Sequence, residues 1–147
     1  MKIALGSDHG GFALKQAVKQ HLSEAGHEVL DLGTDSTASC HYPVYAEKVA
    51  HAVVSGEAER GILCCGTGIG MSIAANKVRG IRAAACSDCF SAEFTRRHND
   101  ANVLCLGERT LGPGLALRLV DLFVETPFEG GRHQTRVDMI ADLEQRF

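Results

Sequence analysis

The 147-residue chain is 45% hydrophobic and 22% charged, the balance of a globular protein and not of a disordered one. Its formal net charge of -3 offers no general field for nucleic acid phosphates, so any basic residue that binds must act within a local site. Residues 1–8 turn polar after a few apolar positions and no run nears the roughly 18 apolar residues of a membrane span, so neither a signal peptide nor a membrane anchor is expected.

Residues 2–6 form a short apolar run closed by Ser7-Asp8-His9-Gly10-Gly11, which predicts a strand and a loop. Leu14, Ala17, Val18, Leu22 and Ala25 then recur at helical spacing, and Gly26 can end that helix in the left-handed conformation. Residues 28–32 read as a second strand, followed by a polar loop over 33–41. Pro43 suits the first turn of a helix with Tyr45, Val49, Ala52 and Val53 on its apolar face and Gly56 closing it.

Residues 61–65 are the third strand, and the chain passes straight from Cys64-Cys65 into Gly66-Thr67-Gly68-Ile69-Gly70 and a helix. Residues 82–86 give a fourth strand, 91–98 a helix or its end, and 103–106 a fifth strand. Leu115, Leu119, Leu122 and Phe123 mark a further helix. Gly130-Gly131 precedes the last one, over about 132–145, with Val137, Ile140 and Ala141 on its predicted inner face.

Short apolar strands alternating with helices predict a three-layer α/β/α sandwich in one domain, residues 1–147, around a five-stranded parallel, Rossmann-like sheet. Ligands of such sheets bind beyond the carboxyl ends of the strands. That rule selects residues 7–11, 65–70, 86–89 and 107–110.

Cys65 meets a glycine-rich loop whose free amides and helix start favour an anion, but a strand-end cysteine can equally be a small core hydrophobe. Strand alternation sends Cys64 to the opposite face, where packing is its expected role. The loop lacks the third glycine of a dinucleotide fingerprint, because Met71 stands there, and no Gly-Lys-Ser/Thr makes it a P-loop. A nest of N–H groups for an oxyanion remains, beside the plainer reading of a tight turn.

Asp8 and His9 put a carboxylate beside an imidazole, though Asp8 could simply cap a helix. His98, in Arg96-Arg97-His98-Asn99-Asp100, is either a proton carrier or part of a solvated helix end with cations at its C-terminus. Arg132 and Arg136 share one face at i,i+4 with His133 nearby; two guanidinium forks suit a phosphate, and a solvated face is the alternative. Cys86-Ser87-Asp88-Cys89 has redox-pair spacing without a supporting context. No metal-ligand spacing is present, so neither a metal nor a cofactor is expected. Four of the six cysteines lie in or at the ends of apolar runs, as reduced cytoplasmic thiols do.

Gly6-Ser7-Asp8-His9-Gly10-Gly11-Phe12, Cys65 to Gly70, Ala74-Ala75-Asn76-Lys77, Arg97-His98-Asn99-Asp100 and Glu129-Gly130-Gly131-Arg132-His133 together, in order along nearly the whole chain, resemble the ribose-5-phosphate isomerase B family, the RpiB/LacAB group of sugar-phosphate isomerases. The resemblance implies that Cys65 moves a proton between C2 and C1 of an aldose, as in the cysteine-using branch of the group, with Thr67 positioning that traffic. It implies that His98 opens the sugar ring with Asp8 as hydrogen-bonding partner, and that amides of Gly66, Gly68, Ile69 and Gly70, with Asn99, hold the enediolate. His9, Arg109, Arg132, His133 and Arg136 would surround the phosphate.

The same resemblance implies a homo-oligomer, dimer or tetramer, whose sites are built across the subunit interface with the C-terminal helix serving a neighbour. The chemistry needs a base at carbon, enediolate stabilisation and an acid/base for the ring, all available from these residues. Ribose 5-phosphate and ribulose 5-phosphate, in the pentose phosphate pathway, are the expected pair. A six-carbon aldose 6-phosphate of allose or galactose type is the nearer alternative and a non-catalytic nucleotide-binding module the more distant one.

Overall fold

The computed structural model describes residues 1–147. Five parallel strands, β1 (Lys2–Ser7), β2 (Glu28–Asp31), β3 (Arg60–Cys65), β4 (Ala83–Ala85) and β5 (Val103–Gly107), form one sheet in the order β2-β1-β3-β5-β4. The crossovers carry α1 (Phe12–Glu24), α2 (Tyr42–Val54), α3 (Ile69–Ala75) and α4 (Cys89–Asn99), and α5 (Pro113–Glu125) and α6 (Arg132–Arg146) follow. No helix is long and apolar enough to cross a membrane.

Period-two alternation divides the core. Ile3, Leu5, Ile62, Cys64, Leu104 and Leu106 pack on one face with Leu14, Val18 and Leu22 of α1 and Leu119 and Phe123 of α5. Ala4, Leu63, Cys65, Val103 and Cys105 face the other way, onto Val49 and Ala50 of α2 and Met71 and Ala75 of α3. Cys64 and Cys65 therefore lie on opposite faces, as the alternation predicts. Both predicted helix stops, Gly26 and Gly56, adopt positive φ, at 89° and 81°.

Three expectations need correction. The fourth strand is only Ala83–Ala85, at the sheet edge and paired with β5 alone. On α6, His133 and Val137 are buried, but Ile140 is 43% exposed and Ala141 is exposed too: periodicity shows where apolar residues line up, not how far along a helix a partner continues. Arg96 is not part of a solvated helix end. It is 4% exposed and donates to Asp100 Oδ1 at 2.9 Å, to the Ala101 carbonyl and to the Thr126 carbonyl.

The strand register fixes the end of the sheet at which each candidate side chain lies. Cys65 is paired with Gly107 at the carboxyl end, and Gly61 with Val103 at the amino end. Because α4 returns from the carboxyl end of β4, its last residues, His98 and Asn99, emerge where the chain prepares to enter β5. The Ala101 N–H reaches the Thr95 carbonyl, and the Asn102 N–H reaches that of Arg82, at the amino end.

Candidate active site

One group of predicted residues gathers at the carboxyl ends of β1, β3 and β5. Asp8 is 7% exposed and its Oδ1 accepts the Gly11 N–H at 3.1 Å, capping a single 3₁₀ turn; Oδ2 makes no hydrogen bond within the chain. Gly11 must be glycine, since a Cβ there would stand 2.3 Å from the Cys64 carbonyl. This close approach lays the Asp8–His9 loop directly over the end of β3. His9 Nδ1 accepts the Cys40 N–H at 3.2 Å, so in the neutral ring the proton sits on Nε2.

Cys65 is 5% exposed, and its Sγ accepts the N–H of Gly68 at 3.0 Å. Gly68 turns the chain back toward the sulfur with φ of 80°. Thr67 is exposed, and its Oγ1 accepts the Ile69 N–H at 3.2 Å. Two of the loop's amides are thus engaged internally, whereas those of Gly66, Thr67 and Gly70 make no hydrogen bond within the chain. The Arg109 N–H donates to the Gly66 carbonyl at 3.0 Å, and the Arg109 guanidinium lies beside Gly66.

The strand-end packing of Cys64 follows from its environment: burial, and then the charges of Cys65 and Glu108, push its thiol far above the ordinary range. Burial does the same to Cys105 and, with Asp88, raises Cys86 to about 11. All six cysteines are free, so Cys86 and Cys89 form no disulfide.

A second group gathers at α4 and α6. The rings of His98 and His133 stack with centroids 4.0 Å apart and planes 11° from parallel. Glu129 reaches both: its Oε2 is 3.5 Å from His133 Nε2 and 4.0 Å from His98 Nε2. Burial, reinforced by His98 and Arg132, holds His133 below the usual imidazole range, against the opposing pull of Glu129. Arg132 and Arg136 are exposed on the first turns of α6. Asn99 is exposed, and its carbonyl accepts from Arg82 Nε at 2.9 Å.

The structure does not join the two groups within one chain, and no hydrogen bond or ion pair links them. Cys65 stands at the carboxyl end of the sheet and His98 near its amino end, separated by the run of β5, about 13 Å at about 3.3 Å per residue. The rule that ligands bind at carboxyl ends therefore locates Asp8, His9, Cys65 and Arg109 but not His98, Asn99, Arg132, His133 or Arg136.

Sequence reasoning missed two neighbours. Tyr42 covers Gly70, where an added Cβ would lie 2.8 Å from its ring, yet the only sequence signal there was the adjacent Pro43. Glu129 sits between two histidines, one of them distant in sequence, so no spacing pattern could show it.

Against this geometry, similarity to known proteins is specific. Residues 3–140 match the family model described as Ribose/Galactose Isomerase. Ribose-5-phosphate isomerase B of Escherichia coli (strain K12) is 54% identical over 145 residues, spanning 99% of this chain and 97% of that protein. Ribose-5-phosphate isomerase B of Clostridium thermocellum superposes with a TM-score of 0.98 at 53% identity, covering 99% of both chains. That of Thermotoga maritima does so with a TM-score of 0.94 at 52% identity, covering 96% of this chain and 97% of its own.

Proposed function

The chain belongs to the ribose/galactose isomerase family, and from that membership we propose that it interconverts D-ribose 5-phosphate and D-ribulose 5-phosphate through an enediolate, as a step of the pentose phosphate pathway. The observation that carries this reading is Cys65, held at the end of β3 with the Gly68 N–H on its Sγ and unpartnered loop amides beside it.

His98 opens the furanose by protonating the ring oxygen as the C1 hydroxyl gives up its proton. Asp8, with Oδ2 free, hydrogen-bonds at the ring oxygen or a hydroxyl. Cys65 as thiolate removes the proton from C2, and the C–H electron pair becomes the carbon–carbon double bond of the enediolate. As the proton on O2 passes to O1, return of the carbon-bound proton to C1 leaves the carbonyl at C2 and a hydroxyl at C1. Thr67 positions this transfer, while amides of the 66–70 loop and Asn99 hold the enediolate oxygens. His9, Arg109, Arg132, His133 and Arg136 surround the phosphate, which anchors the far end of the sugar.

These assignments need a second chain. The length of β5 between Cys65 and His98 supports a homo-oligomer in which His98, Asn99 and the α6 arginines of one subunit complete the site of another. Free thiols on all six cysteines fit a reducing, cytoplasmic setting.

The test is conversion of ribose 5-phosphate by the purified protein with a chelator present. Turnover supports the proposal; no turnover, with micromolar binding of NAD or FMN instead, overturns it. The family description also names galactose, which motivates a six-carbon aldose phosphate as the second reading. Relative kcat/KM for five- and six-carbon aldose phosphates decides between them.

A further inference from the structure

The start of α1 is capped from far along the chain. Gly11 holds its N-cap position and offers no side chain, so the first amides of α1 have no local acceptor. The N–H of Leu14, third in the helix, is taken instead by Glu108 Oε1 at 2.7 Å. Glu108 is itself fixed by its backbone: its N–H donates to the Cys65 carbonyl at 2.9 Å, and the N–H of Arg109, next in sequence, donates to that of Gly66 at 3.0 Å. The first residue beyond β5 thus meets the end of β3 through its backbone and α1 through its side chain.

What α1 carries at that end is the Asp8 loop. Gly11 lies against the Cys64 carbonyl, and a Cβ added to Gly10 would stand 3.5 Å from the Gly66 nitrogen. Two hydrogen bonds tie residues 8–14 to the ends of β3 and β5. The one from the Asp8 N–H to the Cys64 carbonyl is 3.3 Å long and neutral at both ends, just beyond the usual range. The Glu108 bond is 2.7 Å with an ionised acceptor at a helix N-terminus, and charge-assisted bonds are roughly twice as strong as neutral ones. Lys15 also anchors α1, but to Asp31 of β2, which lies on the other side of β1 from β3. Glu108 is therefore the firmer hold on the side of Cys65. A cleft beside it, lined by Ala13, Leu14, Ala17, Leu111 and Pro113, leaves the start of α1 room to shift when that hold is removed.

We propose that Glu108 is a positioning residue for the isomerisation, keeping the start of α1 and its Asp8 loop in register with Cys65 and the amides of the 66–70 loop. The inference rests on the role proposed for Asp8 at the sugar ring, and Glu108 itself touches no reacting atom. The role asks for an acceptor oxygen and not for a charge. The negative charge of Glu108 works against ionisation of the neighbouring Cys64 thiol, which is no advantage to the site.

The experiment compares Glu108→Ala and Glu108→Gln with the unsubstituted protein in turnover of ribose 5-phosphate, each first shown to be folded by circular dichroism and urea unfolding. Glu108→Met, which keeps the bulk and removes the acceptor, takes the place of Glu108→Ala should the latter not fold. Loss of the acceptor should lower kcat/KM about tenfold, short of the roughly 10²-fold that a 1 Å misplacement can cost. Glu108→Gln still accepts from the Leu14 N–H and should stay within about threefold of the unsubstituted protein. A double-mutant cycle separates positioning from general damage. In an Asp8→Asn background the acceptor-free variant should cost less than about twofold more, because the group it positions is already gone, whereas in an Arg132→Ala background it should cost the full tenfold. Unchanged kcat/KM without the acceptor, a glutamine variant as impaired as the alanine one, or an equal loss in both backgrounds overturns the proposal. Full activity of Asp8→Asn would refute the role of Asp8 and this inference with it, and an unsubstituted protein that does not turn over ribose 5-phosphate would refute the proposed function itself.

Discussion

The Gly68 N–H points at Cys65 Sγ across 3.0 Å, so the turn that launches α3 closes on the thiol ending β3. The sulfur is held in one place by the backbone rather than by a neighbouring side chain. Replacement of Cys65 by alanine leaves that backbone intact, because the residue is already small and its loop is shaped by glycines. Cys65→Ala should therefore bind ribose 5-phosphate with near-normal affinity while kcat falls by about 10²–10⁴-fold, the usual worth of a positioned proton carrier. Isothermal titration and steady-state assay separate the two effects; full activity would remove Cys65 as the base.

Arg132 and Arg136 are exposed and like-charged on one face of α6, an arrangement that costs an isolated helix a few tenths of a kcal/mol and that a bound anion would offset. Arg132→Ala or Arg136→Ala should raise KM about ten- to hundredfold with little change in kcat, if each holds the phosphate equally in ground and transition states. An unchanged KM in both variants would exclude them from the phosphate site.

Asp31, at the end of β2, accepts from Lys15 Nζ at 2.7 Å, from Lys19 Nζ at 3.1 Å and from the Gly33 N–H at 3.0 Å. Burial works against ionisation of Asp31, but Lys15, the Gly33 amide and Lys19 together outweigh it and hold the carboxyl below its usual range. A depressed carboxylate pKa contributes stability that is fully present above the unfolded value, about 3.9, and is lost as pH falls through the lower folded value. Asp31→Asn strips the counter-ion from Lys15, which is 1% exposed, and should cost about 3 kcal/mol at pH 7. Urea unfolding of both proteins should show that gap shrinking below about pH 4, as Asp31 itself becomes protonated.

The alternation of strands and helices was legible because each strand is a short apolar run closed by a turn residue, and because Gly26 and Gly56 mark helix ends by conformation alone. The opposite facing of Cys64 and Cys65 followed from the two-residue period of a strand. What could not be read depended on how elements are ordered and covered. The order β2-β1-β3-β5-β4, which a linear pattern does not state, puts β5 beside β3, whereas the place of His98 at the other end of the sheet from Cys65 follows from its position just before β5 in a parallel sheet. Arg96 looked like a solvated cation because charge at a helix end reads the same whether or not Thr126 and Ala101 offer carbonyls to it. Ile140 was misplaced because periodicity identifies a helical stripe but not its cover.

Burial drives the thiols of Cys64 and Cys105 far above their ordinary range and leaves both with no exposure, whereas Cys89 is exposed at the start of α4. Under native conditions at about pH 8, iodoacetamide should modify Cys89 and spare Cys64 and Cys105, which become reactive only in denaturant. Peptide mass mapping reads the order directly, and early labelling of Cys64 would contradict the packing described.

A working site that takes Cys65 from one subunit and His98 from another makes a demand that mixed assemblies can meet or fail. Cys65→Ala and His98→Asn chains, each inactive alone, can be co-expressed with different tags and purified as the mixed assembly. In a mixed dimer one site has lost both residues and the other retains both, so about half of the unsubstituted activity per dimer is expected. A mixed assembly as inactive as its parents would show that both residues must come from the same chain, and the shared site would be refuted.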